Sequence, residues 1–121
     1  MKLIFVYNAS SGKVNAVRDS LHKILSPATY NCKLCAITFG SFSEKSVWKK
    51  FRESSKTEMK FYHKDEFLRQ FKSKWLPKYD FPVLLVEENG RLDILMGAEK
   101  MNTLENASQL ILEVKKYQSR C

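Results

Sequence analysis

The stretch FPVLLVEENGRLDIL, from Phe81 to Leu95, decides the fold of this chain. A proline at its second position opens an apolar run, Asn89 and Gly90 interrupt that run, and a second apolar strand follows. Asn-Gly between two apolar runs is the strongest short-range signal for a β-hairpin, because both residues tolerate a positive φ. The stretch therefore predicts two antiparallel strands joined by a tight turn.

Strands and helices alternate on both sides of this hairpin. Periodicity and flanking residues predict strands at 2–7, 36–39 and 58–62, and helices at 13–25, 43–54, 65–75 and 103–117. Ser43, Asp65 and Thr103 are the predicted N-caps of the last three helices. The predicted order is β-α-β-α-β-α-β-β-α. Such alternation indicates a partly parallel sheet, and the final hairpin makes that sheet mixed.

Composition predicts one globular domain over residues 1–121, since 44% of the residues are hydrophobic and 28% are charged. The apolar run at residues 3–7 is too short to span a membrane or to form the core of a signal peptide. Three cysteines, one of them at the last position, do not make the disulfide framework of a small secreted domain. We therefore expect a cytoplasmic protein with no membrane partner.

The proline, apolar strand, Asn-Gly hairpin and final helix resemble the C-terminal half of the thioredoxin and glutaredoxin superfamily. The chain is also similar to small uncharacterised bacterial proteins with a C-x-L-C segment, which here is Cys32-Lys33-Leu34-Cys35. The resemblance implies a thioredoxin-like α/β fold, a mixed sheet flanked by helices. It also implies that Pro82 follows a cis peptide bond and lies beside the reactive cysteines.

Cys32 and Cys35 are the candidate catalytic residues. Their C-x-x-C spacing suits thiol-disulfide exchange, because the second thiol can reach and release a mixed disulfide. In this hypothesis Cys32 is the nucleophile, Cys35 resolves the intermediate, and Pro82 shapes the site. The partner would be a protein thiol or disulfide, and no cofactor is required. A third interpretation, besides redox chemistry and metal binding, is that both thiols are structural and buried.

Zinc is the alternative cofactor, because C-x-x-C spacing also places two sulfur atoms on one metal ion. Zinc needs two further ligands, and His22 and His63 are the only histidines in the sequence. No second C-x-x-C is present, which excludes a full zinc ribbon. On this alternative the protein is a non-enzymatic, zinc-stabilised adaptor.

The sequence leaves two placements of the Cys pair open. In the first, residues 26–31 form the central strand that leads into the pair, as in thioredoxins. In the second, which is like glutaredoxin, residues 3–7 form that strand and the Cys pair belongs to an insertion. The site of the second placement would lie at the strand ends, among Asn8, Ser10, Ser11, His63 and Pro82, where open α/β sheets usually bind ligands.

Basic residues concentrate between residues 45 and 78, where eleven Lys or Arg stand against four Asp or Glu. The same segment contains Trp48 and Trp75, and basic residues mixed with aromatics can bind nucleic acid. The aromatic residues recur at helical spacing, however, which places most of them in the core. If the segment forms one patch, we expect weak, non-specific nucleic-acid binding that disappears near physiological salt.

Overall fold

The structure is a computed structural model that describes residues 2–8, 33–39, 44–71 and 79–119. Its strands are β1 (Lys2–Tyr7), β2 (Glu58–His63), β3 (Val83–Glu88) and β4 (Arg91–Met96). Its helices are α1 (Lys33–Thr38), α2 (Ser46–Ser54), α3 (Lys64–Gln70), α4 (Ala98–Met101) and α5 (Ala107–Gln118). The helix predicted at 13–25 lies outside the described residues.

The four strands form one mixed sheet in the order β2-β1-β3-β4. β1 runs parallel to β2 and antiparallel to β3, and β3 pairs antiparallel with β4. At the turn between β3 and β4, Asn89 and Gly90 have φ values of 53° and 77°. Positive φ at both central residues is what a tight two-residue hairpin turn requires. The predicted hairpin and the predicted α/β class, a mixed sheet flanked by helices, are both confirmed.

β1 is the interior strand that pairs with the hairpin. β3 pairs with β1 along one edge and with β4 along the other, so both of its edges are occupied. In the described sheet, the first strand of the chain therefore holds the place beside the hairpin that the second placement gives it. Residues 26–31 lie outside the described residues.

Apolar side chains cover both faces of the sheet, because successive residues of a strand point to opposite sides. Trp48 of α2 is fully buried on one face, where its ring meets that of Phe5 edge-on with centroids 5.5 Å apart. Phe67 of α3 is buried on the other face. The first face joins α1, α2 and α5 to the sheet, through Leu3, Phe5, Tyr7, Leu34, Ile37, Trp48, Leu84, Met96, Leu110 and Val114. The second joins α3 to the sheet, through Ile4, Val6, Phe67, Val83 and Leu85.

The strand predicted at 36–39 is wrong, because these residues fall largely within helix α1. Leu34, Ile37 and Thr38 are buried together, at the spacing of one helical turn. The Thr38 hydroxyl donates a hydrogen bond to the Leu34 carbonyl at 2.6 Å, which satisfies it inside the protein. The β-branched pair Ile37-Thr38 suggested a strand, but the helical spacing begins two residues before the predicted strand.

The predicted caps of the last two helices are also wrong. Asn106, not Thr103, caps α5, and its side-chain oxygen accepts a hydrogen bond from the Gln109 amide at 2.9 Å. The Thr103 hydroxyl instead donates to the Lys100 carbonyl at the end of α4, a one-turn helix that the sequence did not indicate. Helix α3 begins earlier than predicted, with His63 rather than Asp65 at its N-cap position.

Helix α2 begins later than predicted, at Ser46, with Lys45 in the N-cap position and no side-chain cap. The predicted cap Ser43 lies outside the described residues, as does Trp75. The amide of Lys45 donates to the Thr38 carbonyl at 2.7 Å, and this bond ties the start of α2 to the end of α1. The two helices therefore meet the sheet as neighbours, which brings Thr38 close to the first turn of α2.

Candidate functional site

The carboxyl ends of β1 and β2 meet the start of β3 at one edge of the sheet. Tyr7 lies opposite His63 across the parallel pair, and Val6 lies opposite Val83 across the antiparallel pair. Pro82 immediately precedes β3, so it lies beside the end of β1. The Phe81-Pro82 peptide bond is cis, as the resemblance implied.

This edge brings together three members of the strand-end set that the sequence predicted. Asn8 follows β1, His63 ends β2, and the Lys64 ammonium donates to the Asn8 side-chain oxygen at 3.4 Å. Pro82 completes the group at the start of β3. Ser10 and Ser11, the other two members, lie outside the described residues.

Tyr7 is the centre of this edge, and the sequence analysis did not single it out. Its side chain is buried, and its ring lies 5.9 Å from Phe39 and 5.7 Å from His63 between centroids. Burial, with a smaller contribution from the Glu44 carboxylate, raises the pKa of the Tyr7 phenol well above its ordinary value. A side-chain hydrogen bond with Thr38 and the charge of Arg52 oppose that shift only in part. Tyr7 is therefore a neutral phenol throughout the physiological range.

Glu44 and Arg52 form a bidentate ion pair near Tyr7. Arg52 donates from Nε and Nη2 to the two carboxylate oxygens of Glu44, at 2.7 and 2.6 Å. The Glu44 side chain is only 14% exposed. The hydrogen bonds to Glu44 raise the pKa of the Arg52 guanidinium, so the guanidinium remains charged. Parallel hydrogen bonds of this kind fix geometry as well as charge.

His63 and Glu66 form a second polar pair near Tyr7. The Glu66 carboxylate accepts from the His63 amide at 2.8 Å and lies 2.8 Å from His63 Nδ1. The hydrogen bond from the amide, followed by that from the ring, lowers the pKa of Glu66. The His63 ring is half-exposed, and its Nδ1 is engaged by Glu66.

Cys35 lies in α1, three residues before Thr38, and its side chain is only 5% exposed. It belongs to the same buried cluster as Tyr7 and Leu34. Cys35 is disulfide-bonded. The other cysteines, Cys32 and Cys121, both lie outside the described residues, as does His22.

Of the four ligands in the zinc alternative, the structure describes only Cys35 and His63. Cys35 in a disulfide lacks the thiolate that zinc binds. His63 is engaged at Nδ1 by Glu66 and retains Nε2. Over residues 2–8, 33–39, 44–71 and 79–119, no three His, Cys, Asp or Glu side chains are grouped so as to hold a metal ion. Zinc binding stays a prediction.

Sequence reasoning missed Tyr7, Thr38, Glu44, Arg52 and Glu66. Glu66 carried a usable signal, because an acidic residue three positions after a helix N-cap commonly bonds back to the cap amide. Glu44 and Arg52 gave no such sequence signal, since Arg52 lies eight positions after Glu44 and α2 begins between them. Their pairing depends on how the end of α1 approaches α2.

In comparisons with known proteins, no family model, curated protein or solved structure matches this chain. Among the helices that the structure describes, none is long and apolar enough to cross a membrane.

Proposed function

We propose that this protein is a thioredoxin-like domain that carries out thiol-disulfide exchange through Cys32 and Cys35. The observation that carries the proposal is the state and position of Cys35, which is disulfide-bonded and buried in a helix packed against the carboxyl end of β1. We assign Cys32 as its partner, because the C-x-x-C spacing suits such a bond.

The burial of Cys35 supports its assignment as the resolving thiol. A buried thiol is inaccessible to a large substrate disulfide, whereas it can attack a sulfur of its own chain. The preceding Cys32 is then the nucleophile that meets the partner. Pro82 supports the same site, because the strand pairing puts it beside the end of β1.

The proposed exchange conserves atoms and electrons. The Cys32 thiolate attacks one sulfur of a partner disulfide, forming a mixed disulfide and expelling the other partner sulfur as a thiolate. The Cys35 thiolate then attacks the Cys32 sulfur, forms the Cys32–Cys35 disulfide and releases the second partner thiolate. Two electrons pass from the dithiol to the partner, and the released thiolates take up the two protons. The reverse sequence oxidises a partner dithiol.

Three features of the described fold support the thioredoxin-like part of this proposal. A parallel β1–β2 pair, a β3–β4 hairpin and a final helix occur in the order that the resemblance predicts. The proposal of cytoplasmic location adds a chemical argument, since disulfides in that compartment are usually transient and catalytic.

Trapping of the mixed disulfide tests the proposal. Reduced Cys35→Ser protein is incubated with oxidised insulin-type disulfide substrate, and adducts are resolved without reductant. We expect a covalent adduct with Cys35→Ser that is absent from a Cys32→Ser/Cys35→Ser variant. Cys121→Ser is the matched control and should behave as the unmodified protein. Absence of any adduct, or native thiols at 32 and 35 that fail to react, would contradict the proposal.

Metal analysis separates this proposal from the zinc alternative. Reduced, untagged protein incubated with zinc and desalted should retain well under one zinc ion per chain. Retention of about one zinc per chain, lost in both Cys35→Ser and His63→Gln variants, would instead support the Cys/His metal site. Glu105→Gln serves as a control, because Glu105 is exposed and belongs to neither ligand set.

A further inference from the structure

The structure places two lysine-bearing helices side by side on one face of the sheet. α2 and α5 both bury residues in the same apolar cluster, Trp48 from one and Leu110 from the other. Gln118 of α5 donates to the Ser55 hydroxyl just after α2, at 2.7 Å. The Lys115 ammonium lies 5.9 Å from the centroid of the Phe51 ring. Their outer sides therefore form a continuous surface.

We name this surface the α2–α5 basic face. Exposed lysines run along it and at both ends of α2: Lys45, Lys49, Lys50, Lys56, Lys115 and Lys116. Of the nearby carboxylates, Glu44 binds Arg52 and Glu113 bridges Lys116 and Lys100, while Glu53 is exposed on α2 itself. Of the six lysines, only Lys116 takes part in an ion pair within the described part of the chain. The lysines outnumber these carboxylates, so the surface carries a net positive charge.

This surface differs from the one that the sequence indicated. Over its described residues, 45–71, the basic segment does not form one patch, because α2 packs on one face of the sheet and α3 on the other. Lys64 and Arg69 of α3 are therefore separated from Lys49 and Lys50 by the sheet. On the α2 side, Lys115 and Lys116 of α5 join the lysines of α2, although they lie far away in sequence.

We propose that the α2–α5 basic face binds the phosphate backbone of duplex nucleic acid without reading its sequence. A duplex carries about one charge per 1.7 Å of axis, so lysines that contact it release condensed counterions. An acidic protein surface has no comparable charge density. At a rise of about 1.5 Å per residue, α2 and α5 extend about 13 and 18 Å, enough to reach several phosphates.

The aromatic residues of this face exclude base stacking as the mode of binding. Trp48 is fully buried, and the Phe51 ring is partly buried under the Lys115 ammonium. Single-stranded nucleic acid is usually bound by exposed aromatic rings, and none is presented by the described part of this face. The lysines remain as point charges that suit phosphates and carry no sequence information.

Binding of a 20-base-pair duplex across a salt series tests this proposal. If about four phosphates are neutralised, the logarithm of affinity falls with the logarithm of salt with a slope near −3.6. The Lys50→Gln/Lys115→Gln variant should reduce the magnitude of that slope by about 2, at roughly 0.9 for each contact. Lys60→Gln/Arg69→Gln is the charge-matched control on the opposite face and should leave the slope unchanged.

Three outcomes would overturn the proposal. The first is no duplex binding at about 20 mM salt, where backbone contacts are strongest. The second is an equal loss of slope in both double variants, which would indicate net charge rather than a surface. The third is tighter binding of acidic vesicles or of a single strand than of the duplex. Thermal melting of each variant checks that the fold is retained, since all four side chains are partly or fully exposed.

Discussion

The two ends of β1 handle charge in opposite ways. At the amino end, Lys2 stands between Glu58 and Glu87 of the neighbouring strands, with its ammonium 3.7 and 3.6 Å from their carboxylates. At the carboxyl end, the buried Tyr7 lies near the Glu44–Arg52 ion pair and near the hydrogen-bonded His63 and Glu66 side chains. The same strand thus ends beside partly exposed ion pairs at one side, and beside a buried phenol and a largely buried carboxylate at the other.

The two ends differ in how much their polar groups should contribute to stability and to a functional site. Exposed ion pairs contribute little because water and salt screen them, typically about 0–1 kcal/mol. Polar groups gathered under partial burial interact more strongly and hold defined protonation states. The carboxyl end is also where Pro82 lies and where the Cys35 helix packs. Stability measurements on the two ends should therefore diverge.

The largest expected effect is at the Glu44–Arg52 pair. Arg52→Ala leaves the largely buried Glu44 carboxylate without its hydrogen-bond donors, and we expect a loss of about 1–3 kcal/mol in the free energy of unfolding. Chemical denaturation measures the change. Lys49→Ala in the same helix is the control and should stay within about 0.5 kcal/mol. An equal loss in the two variants would remove the distinction that we draw.

Tyr7 should give the next effect, and only at alkaline pH. Its folded-state pKa is raised, so above about pH 10 the unfolded chain loses a proton that the native phenol keeps, and stability falls. Tyr7→Phe should decline less steeply between about pH 10 and 12. Tyrosinate absorbance at 295 nm provides a second measurement, because native Tyr7 should ionise only on unfolding. If Tyr7→Phe lost stability as steeply as the unmodified protein, and Tyr7 ionised before unfolding, the Tyr7 phenol would be exposed to solvent, which would contradict this prediction.

Glu66 should produce a smaller effect with the opposite pH dependence. Its folded-state pKa is lowered, so its contribution is present above about pH 4.3 and disappears as pH falls through the folded value. Glu66→Gln should cost about 0.5–1 kcal/mol at neutral pH through the weakened helix cap. Below that range the variant and the unmodified protein should converge. If the two proteins instead became equally stable at high pH, the folded-state pKa of Glu66 would have to be raised rather than lowered, which would contradict this prediction.

The smallest effect is expected at the amino end of β1. Lys2→Ala removes both partly exposed ion pairs, and we expect a change of no more than about 0.5–1 kcal/mol that shrinks further in 1 M salt. Denaturation at two salt concentrations measures it. A loss equal to that of Arg52→Ala, and insensitive to salt, would mean that the two ends of β1 do not differ.

Local signals predicted all four strands of the described sheet, together with a strand at 36–39 that is wrong. The hairpin followed from Asn89-Gly90, and β1 and β2 followed from short apolar or alternating runs. Where prediction failed, two local signals competed. Ile37-Thr38 favoured a strand by residue type, while burial against the sheet selected a helix. Thr103 and Asn106 are both good caps, and only the one-turn helix α4 decides between them.

The candidate site was predictable only in part. His63 and Pro82 were expected at the strand ends, because topology alone brings strand ends together. Tyr7 looked like an ordinary strand residue, and its role depends on Thr38 and Glu44, which approach from elements separated in sequence. No periodicity encodes such contacts, since they arise from how α1 and α2 pack on the finished sheet.

The most direct test of the thiol-disulfide account is a redox titration of the untagged protein. Samples equilibrated at graded ratios of oxidised to reduced dithiothreitol are acid-quenched and alkylated, and the modified cysteines are counted by mass. The account predicts that Cys32 and Cys35 lose their thiols together in one reversible two-electron transition, while Cys121 stays alkylated throughout. Thiols at 32 and 35 that change independently, or that stay unchanged over the whole range, would contradict it.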